Sequence, residues 1–201
     1  MTIADRERWD AKYDVRPLPA TISPPEWLVQ QAASLEPGRA LDLACGEGHA
    51  AIWLAERGWQ VTGVDISPVG LTRARMLAEK RNLTVDWQLA DLDELSLGCE
   101  EFDLITVFRF LDRRLAPRIC QALRKDGLLI YETFLSSPEA SGTDPARNPA
   151  YRLQPSELSR LFDGLSVLVQ EEGLFGMERT ARLVARKALN RGDINDFKSR
   201  G

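Results

Sequence analysis

Apolar positions change their period from segment to segment along this chain. They fall in short, nearly continuous runs at Ala40–Leu43, Gln60–Val64, Val85–Leu89, Phe102–Phe108 and Leu128–Thr133. Such runs predict strands covered on both faces. Between them the spacing turns helical: Ala51, Leu54 and Ala55, then Leu71, Ala74, Leu77 and Ala78, then Leu115, Ile119 and Leu123. Gly58 predicts the end of the first of these helices, Ser67-Pro68 opens the second, and Lys125-Asp126-Gly127 turns out of the third. Upstream, residues 5–13 predict a short amphipathic helix with Trp9 and Tyr13 on one side, and two prolines between Val15 and Ile22 predict an extended arm. Ser23-Pro24-Pro25-Glu26 predicts a helix start, with Ser23 as N-cap, Pro24 in the first helical place and Glu26 completing a capping box. Leu28, Ala32 and Leu35 form its stripe, and Pro37-Gly38 ends it.

Strand–helix alternation predicts a doubly wound α/β fold with a mostly parallel sheet. The ending breaks that rhythm. A helix is predicted at Pro155–Phe162 and strands at Leu165–Glu171 and Thr180–Lys187. No helix fits between those two strands, so they should pair antiparallel as a C-terminal hairpin. The organisation expected is a helix and arm over residues 1–22 that cover a site, a main domain over 23–188 and a polar, fraying tail over 189–201. The stretch 135–154 has no periodicity, and a loop that long is usually functional or disordered.

Composition narrows the classes. With 201 residues, 44% hydrophobic and 28% charged, the chain suits one globular domain. No run approaches the ~18 apolar residues of a membrane span. Charges from Asp5 to Lys12 do not suit a secretory leader. The net charge of −4 makes nucleic acid an unlikely partner. Cys45, Cys99 and Cys120 lack Cys-x-x-Cys spacing and read as reduced thiols of a cytoplasmic protein. One histidine and scattered cysteines give no expected metal site. A monomer or weak homodimer is expected.

Chemistry concentrates at Leu41–Gly48, Leu-Asp-Leu-Ala-Cys-Gly-Glu-Gly, followed by a strand ending in Val64-Asp65. A strand running into glycines and a helix, then a second strand delivering an acid, builds a nucleoside pocket. Gly46 to Ala51 fits the loose Gly-x-Gly-x-x-Gly/Ala dinucleotide pattern. Asp42 and Glu47 argue against a pyrophosphate, which wants positive potential, and suit a cationic ligand. The Tyr-x-x-x-Lys pair of short-chain hydride-transfer enzymes is absent after Tyr13, Tyr131 and Tyr151.

These residues resemble the class I S-adenosylmethionine-dependent methyltransferases over about residues 38–133. The resemblance rests on the glycine loop, the acid Asp65 in Val-Thr-Gly-Val-Asp-Ile-Ser, the segment Ala90-Asp91-Leu92, the fourth strand Phe102–Ile105 and the fifth Asp126–Ile130. Trp9-Asp10-Ala11-Lys12-Tyr13 and Tyr131-Glu132-Thr133-Phe134 are similar to the small bacterial tellurite-resistance/thiopurine-type branch. The resemblance implies a seven-stranded Rossmann-like sheet closed by the hairpin, S-adenosyl-L-methionine as cofactor and S-adenosyl-L-homocysteine as product. It implies that Asp42 faces the methionine amino group, that Ala44, Cys45, Gly46 and Gly48 line the loop, and that Asp65, at an exposed strand end, grips the ribose. Ile66 would pack on the adenine, with Asp91 and the Leu92 N–H at its edge. Trp9 and Tyr13 would lie over the cofactor or, equally, form a packing stripe.

Phe108-Arg109-Phe110 follows the fourth strand, where the acceptor should sit, without the Asn/Asp-Pro-Pro-aromatic of amino-methylating enzymes. Phe108 and Arg109 are candidate catalytic residues, Phe108 also a cofactor contact, and Glu132 the candidate base. Arg109, Arg113 and Arg114 could hold an anionic acceptor or simply form a solvated face beside Asp112. Arg147, Asn148 and Tyr151 lie in the long loop. The expected activity is methyl transfer to a small-molecule acceptor, a thiol, selenol or other soft nucleophile that needs no base. The rivals are an RNA or protein methyltransferase, an NAD(P)-dependent oxidoreductase and a non-catalytic cofactor-binding module.

Overall fold

Each apolar run of the sequence becomes a strand of one sheet. The computed structural model describes residues 3–136 and 151–188. Its strands are β1 (Arg39–Leu43), β2 (Gln60–Asp65), β3 (Asp86–Leu89), β4 (Phe102–Phe108), β5 (Leu123–Phe134), β6 (Ser166–Phe175) and β7 (Glu178–Arg186). The sheet order is β3-β2-β1-β4-β5-β7-β6. The first five strands pair in parallel. β7 inserts antiparallel between β5 and β6, as the missing crossover helix required. Among the described residues six α-helices accompany them: α1 (Ile3–Asp14), α2 (Glu26–Ala32), α3 (His49–Ala55), α4 (Pro68–Glu79), α5 (Ala116–Ala122) and α6 (Glu157–Leu161).

Alternation along the strands feeds two cores. Leu41, Leu43, Ile105, Val107, Leu129, Tyr131 and Leu183 face Leu115, Ile119, Leu158 and Phe162 around α5 and α6. Ala40, Leu104, Ile130 and Val184 face Trp27, Leu28, Ala51 and Leu54 of α2 and α3. A smaller cluster of Ile52, Leu77 and Ala78 joins α3 to α4. Burying each large aliphatic side chain is worth about 1.5–3 kcal/mol, so these faces fix the register. The strand order reverses between β1 and β4, which opens a crevice at the carboxyl edge of the sheet.

Some expected details change. No capping box forms at Ser23. α2 starts at Glu26, preceded by Pro25 with no side-chain cap. A residue before proline is pushed out of the helical region, so Pro24, before Pro25, cannot be the first helical residue. Leu123 belongs to β5 rather than to a helix: it pairs with Phe102, and the register shifts between Phe102 and Leu104. Its side chain still reaches the core. α1 is longer than expected, and none of its residues is buried. Trp9 and Tyr13 are half-buried and stack on each other. The fraying tail, most of the 135–154 loop, Arg147 and Asn148 lie outside the described residues.

Candidate active site

The loop after β1 alternates handedness. Ala44, Gly46 and Gly48 have φ of 55°, 55° and 75°. Two glycines take these values without strain, whereas a residue with a Cβ pays about 1–2 kcal/mol. Ala44 pays it. The Cys45 N–H donates to the Val64 carbonyl at 3.0 Å and the Gly48 N–H to the Cys45 carbonyl at 2.8 Å, which pins the loop to β2. A Cβ on Gly48 would stand 2.4 Å from the Trp87 ring, so this glycine lets α3 seat against β3. One on Gly46 would stand 2.4 Å from the Tyr13 hydroxyl. Burial pushes the Cys45 thiol well above its usual range, so it is no ready nucleophile.

Two acids flank the loop. Asp42 is 2% exposed. Its Oδ1 accepts from the Thr106 hydroxyl at 2.8 Å, and its Oδ2 has no partner. Burial pushes its carboxyl up to about 7, against the Thr106 hydrogen bond and the pull of the nearby Ala51 backbone. Asp65 was expected at an exposed strand end, but it is 6% exposed. Its Oδ2 accepts from the Gly46 N–H at 2.7 Å and its Oδ1 from the Ser67 N–H at 2.8 Å. Because β2 extends to include it, the acid ties the glycine loop to the start of α4. Each carboxylate oxygen keeps a further lone-pair direction for a ligand hydroxyl. Burial raises its pKa as well.

α1 crosses over this edge. Asp10 accepts from the Ser67 hydroxyl, and the Val69 N–H approaches the same oxygen at 3.4 Å. Trp9 and Tyr13 stack with ring centroids 5.8 Å apart. Tyr13 lies against Gly46 and Gly70, and burial and the nearby Asp65 raise its pKa. Arg73 fastens the arm: its side chain donates to Glu47 at 2.7 Å and to the carbonyls of Arg16 and Pro17 at 2.9 and 2.7 Å. Glu47 is therefore neutralised by Arg73, and the cation preference read from the sequence falls to Asp42.

Along the rim, Phe108 packs against the α2–α3 core. Arg109 turns out with φ 56°, donates its N–H to the Glu132 carbonyl at 2.8 Å and is 72% exposed. Glu132, the candidate base, is already engaged. Its carboxylate accepts from Thr180 at 3.1 Å and Arg182 at 3.3 Å, and Arg182 lies over the Trp27 and Phe175 rings. Arg113 pairs with Glu157, and Arg114 with Asp93 and Asp112, so neither is left for a ligand. His49 accepts at Nδ1 from the Ser23 N–H at 3.2 Å and is kept neutral by burial. Ile66 is buried at 7%. The Asp91 carboxylate accepts from the Asp93 N–H at 2.9 Å, and Leu92 is wholly buried, its carbonyl accepting from Arg118.

The structure thus gathers Tyr13, Asp42, Ala44, Cys45, Gly46, Gly48 and Asp65 around one edge and sets Glu132 apart in a hairpin ion pair. Thr106 and Arg73 were missed by sequence reasoning, Ser67 was read only as a helix start, and Asp10 only as part of the Trp9–Tyr13 motif, three residues before Tyr13 on one helical face. Asp42 Oδ2, a buried acceptor without a partner, calls for a donor or cation. Left-handed glycines and an acid that can accept hydroxyls suit the nucleoside part of S-adenosylmethionine.

Residues 40–127 match the family model described as a methyltransferase domain. The ubiquinone biosynthesis O-methyltransferase of Histophilus somni (strain 2336) is 31% identical over 138 residues, covering 63% of this chain and 58% of the relative. The enzyme of that name from Alkalilimnicola ehrlichii is 32% identical over 140 residues, covering 66% and 56%. The chain spans a little over half the length of the curated relatives it matches. Among solved structures, TehB from Haemophilus influenzae superposes with a TM-score of 0.71 at 20% identity, covering 90% of this chain and 66% of that one. A protein studied for conversion of a disulfide bond into a thioacetal group during echinomycin biosynthesis superposes with a TM-score of 0.70 at 22% identity, covering 97% and 98%.

Proposed function

We propose that this chain, related by fold and distant homology to the class I S-adenosylmethionine-dependent methyltransferases, transfers a methyl group from S-adenosyl-L-methionine to a small molecule with a soft nucleophile. The observation that carries the reading is buried Asp42, with one unpartnered oxygen behind a left-handed glycine loop. Asp42 would receive the cationic amino group, Asp65 the ribose hydroxyls, and Ile66, Asp91 and the Leu92 N–H the adenine. The bound cofactor supplies a methyl group on a sulfonium whose leaving thioether needs no proton. The protein's work is then alignment and exclusion of water. Tyr13 and Trp9 of α1 would close over the cofactor, and Phe108 would border the path to the acceptor. The Glu132 carboxylate is engaged by Arg182 and Thr180, which favours an acceptor that needs no base: a thiolate, a selenolate or an acidic phenol. The relatives' names point to oxygen, and the echinomycin protein to sulfur chemistry. Both lie within that class.

Calorimetry with S-adenosylhomocysteine and NAD, followed by transfer of labelled methyl to a panel of thiols, selenols, phenols and cell RNA, tests the reading. Micromolar S-adenosylhomocysteine binding, no NAD binding and label on a small thiol, selenol or phenol are expected. Tight NAD binding with no response to S-adenosylhomocysteine would sink it. Label only in RNA would replace the small acceptor with a nucleic acid.

A further inference from the structure

α1 brings a cluster of cations to the edge where β4 ends. Lys12 sits with its ammonium 4.2 Å from the Trp9 ring centroid. It makes no ion pair among the described residues. Arg8 lies 5.6 Å over the Tyr151 ring and pairs with Asp5. Arg16, one turn beyond Lys12, makes no ion pair among the described residues and gives its carbonyl to Arg73. Arg109 reaches the same place from the end of β4, and Glu178 at the start of β7 is its ion-pair partner at 3.3 Å. Burial first, and then the charges of Arg16, Arg109 and Arg8, hold the Lys12 ammonium below its usual range, and Glu178 opposes them. Like charges crowded on a small area cost energy unless an anion joins them. Arg109 also holds a left-handed backbone at φ 56°, a strained conformation that clusters at ligand clamps. Arg113 and Arg114 on the neighbouring turn are matched by carboxylates, as Arg8 and Arg109 are by one each; the charges of Lys12 and Arg16 have no such match among the described residues.

The cluster borders the site directly. Tyr13, next to Lys12, covers Gly46, and Arg109 follows Phe108 at the end of the strand beside β1. We propose that the methyl acceptor carries an anionic group, a carboxylate, sulfonate or phosphate, which is held between Lys12 and Arg109, with its apolar body against Trp9. This rests on the methyl-transfer reading, which puts the acceptor at the β4–β5 rim. Arg8 and Arg16 add to the local positive potential. Glu178 and the partly exposed Trp9 form its wall. A small anion fits better than a polyanion, because the chain's net charge is −4 and the patch spans one helix and one strand end.

The test compares 4-mercaptobenzoate with 4-mercaptobenzamide on protein saturated with S-adenosylhomocysteine, by calorimetry at low salt. The carboxylate should bind about 10-fold or more tightly, one charge-assisted contact being worth that much, and the preference should shrink as salt rises. The double variant Lys12→Gln, Arg109→Gln should lose the preference. Arg39→Gln, a cation at the opposite edge of the sheet, should keep it. Equal affinities, a preference that survives in the double variant, or no binding of either compound overturns the proposal. So does tighter binding of a short RNA or of phosphatidylglycerol vesicles than of the carboxylate. S-adenosylhomocysteine binding with no carboxylate preference sinks this inference alone. Its failure to bind sinks the methyl-transfer reading as well.

Discussion

At the scale of single residues, Asp42 and Asp65 do different work although both were readable as site acids. The sequence places them on β1 and at the end of β2, since a strand must end where glycines begin, but hydrogen-bond partners come from distant segments and leave no local trace. Thr106 reaches Asp42 from β4, and Gly46 reaches Asp65 from the loop. The partners of Glu132 were invisible for the same reason: Thr180 and Arg182 lie on β7, which the sequence does not place beside β5. Asp42 leads to a pH prediction. Its folded pKa is raised to about 7 from 3.8, so the folded state binds the extra proton between those values. Stability of the ligand-free protein should therefore fall as pH rises from about 4 to about 7, and Asp42→Asn should flatten that slope. Ligand binding should show the opposite sign. A cationic amino group favours ionised Asp42, so S-adenosylhomocysteine affinity should rise from pH 6 to 8 in the native protein and stay flat in Asp42→Asn. Denaturant melts and calorimetry across this range check both slopes, and parallel curves for the two proteins would remove the assignment. Asp65→Ala should do more than weaken the ligand. It strips two buried backbone N–H groups of their acceptor, each costing about 1–3 kcal/mol, so melting temperature should fall along with affinity. A variant that loses ligand affinity alone would return Asp65 to a pure ribose contact.

Elements were legible where packing and periodicity agree. β4 runs from Phe102 to Phe108, as its apolar run required, and Ser67 caps α4 through the Gly70 N–H. Boundaries failed where a local rule met a stronger one. Two successive prolines overrode the capping signal at Ser23. Pairing with Phe102 drew Leu123 out of the helix into β5, where the same buried side chain serves the same core. α1 shows the limit of pattern reading. Its aromatic pair suggests an apolar stripe, yet no residue of it is buried. It is held instead by Asp10 on Ser67, by Tyr13 over Gly46 and, through the arm, by Arg73. Removing residues 1–16 should therefore leave the two cores intact. We expect the melting temperature to drop by only about 2–4 °C, as for a change of ~1 kcal/mol in a chain of this size, while methyl transfer falls at least about 10-fold. Loss of cooperative unfolding on deletion would show that α1 belongs to the folding unit after all.

For the whole molecule, the sheet order explains why one ligand should matter to so many parts. The carboxyl edges of β1, β2 and β4, the start of α4 and the underside of α1 all meet at the glycine loop. Composition gave no hint of this convergence. A net charge of −4 conceals the cations of α1 and Arg109, which only the topology brings together. A ligand that binds the folded state alone stabilises it by an amount set by its concentration over its Kd, about 2.7 kcal/mol at a hundredfold excess. For a chain of this length that corresponds to a rise of roughly 5–11 °C in melting temperature. S-adenosylhomocysteine at that excess should produce such a rise, and NAD none. If α1 closes over the ligand, its docking free energy is part of binding. The rise at the same concentration should then shrink in the chain lacking residues 1–16, and protease cleavage in the arm at Arg16 should slow in the full chain when ligand is present. An equal rise in both chains, with cleavage at Arg16 unchanged by ligand, would show that the ligand is held by the sheet edge alone and that α1 is not its cover.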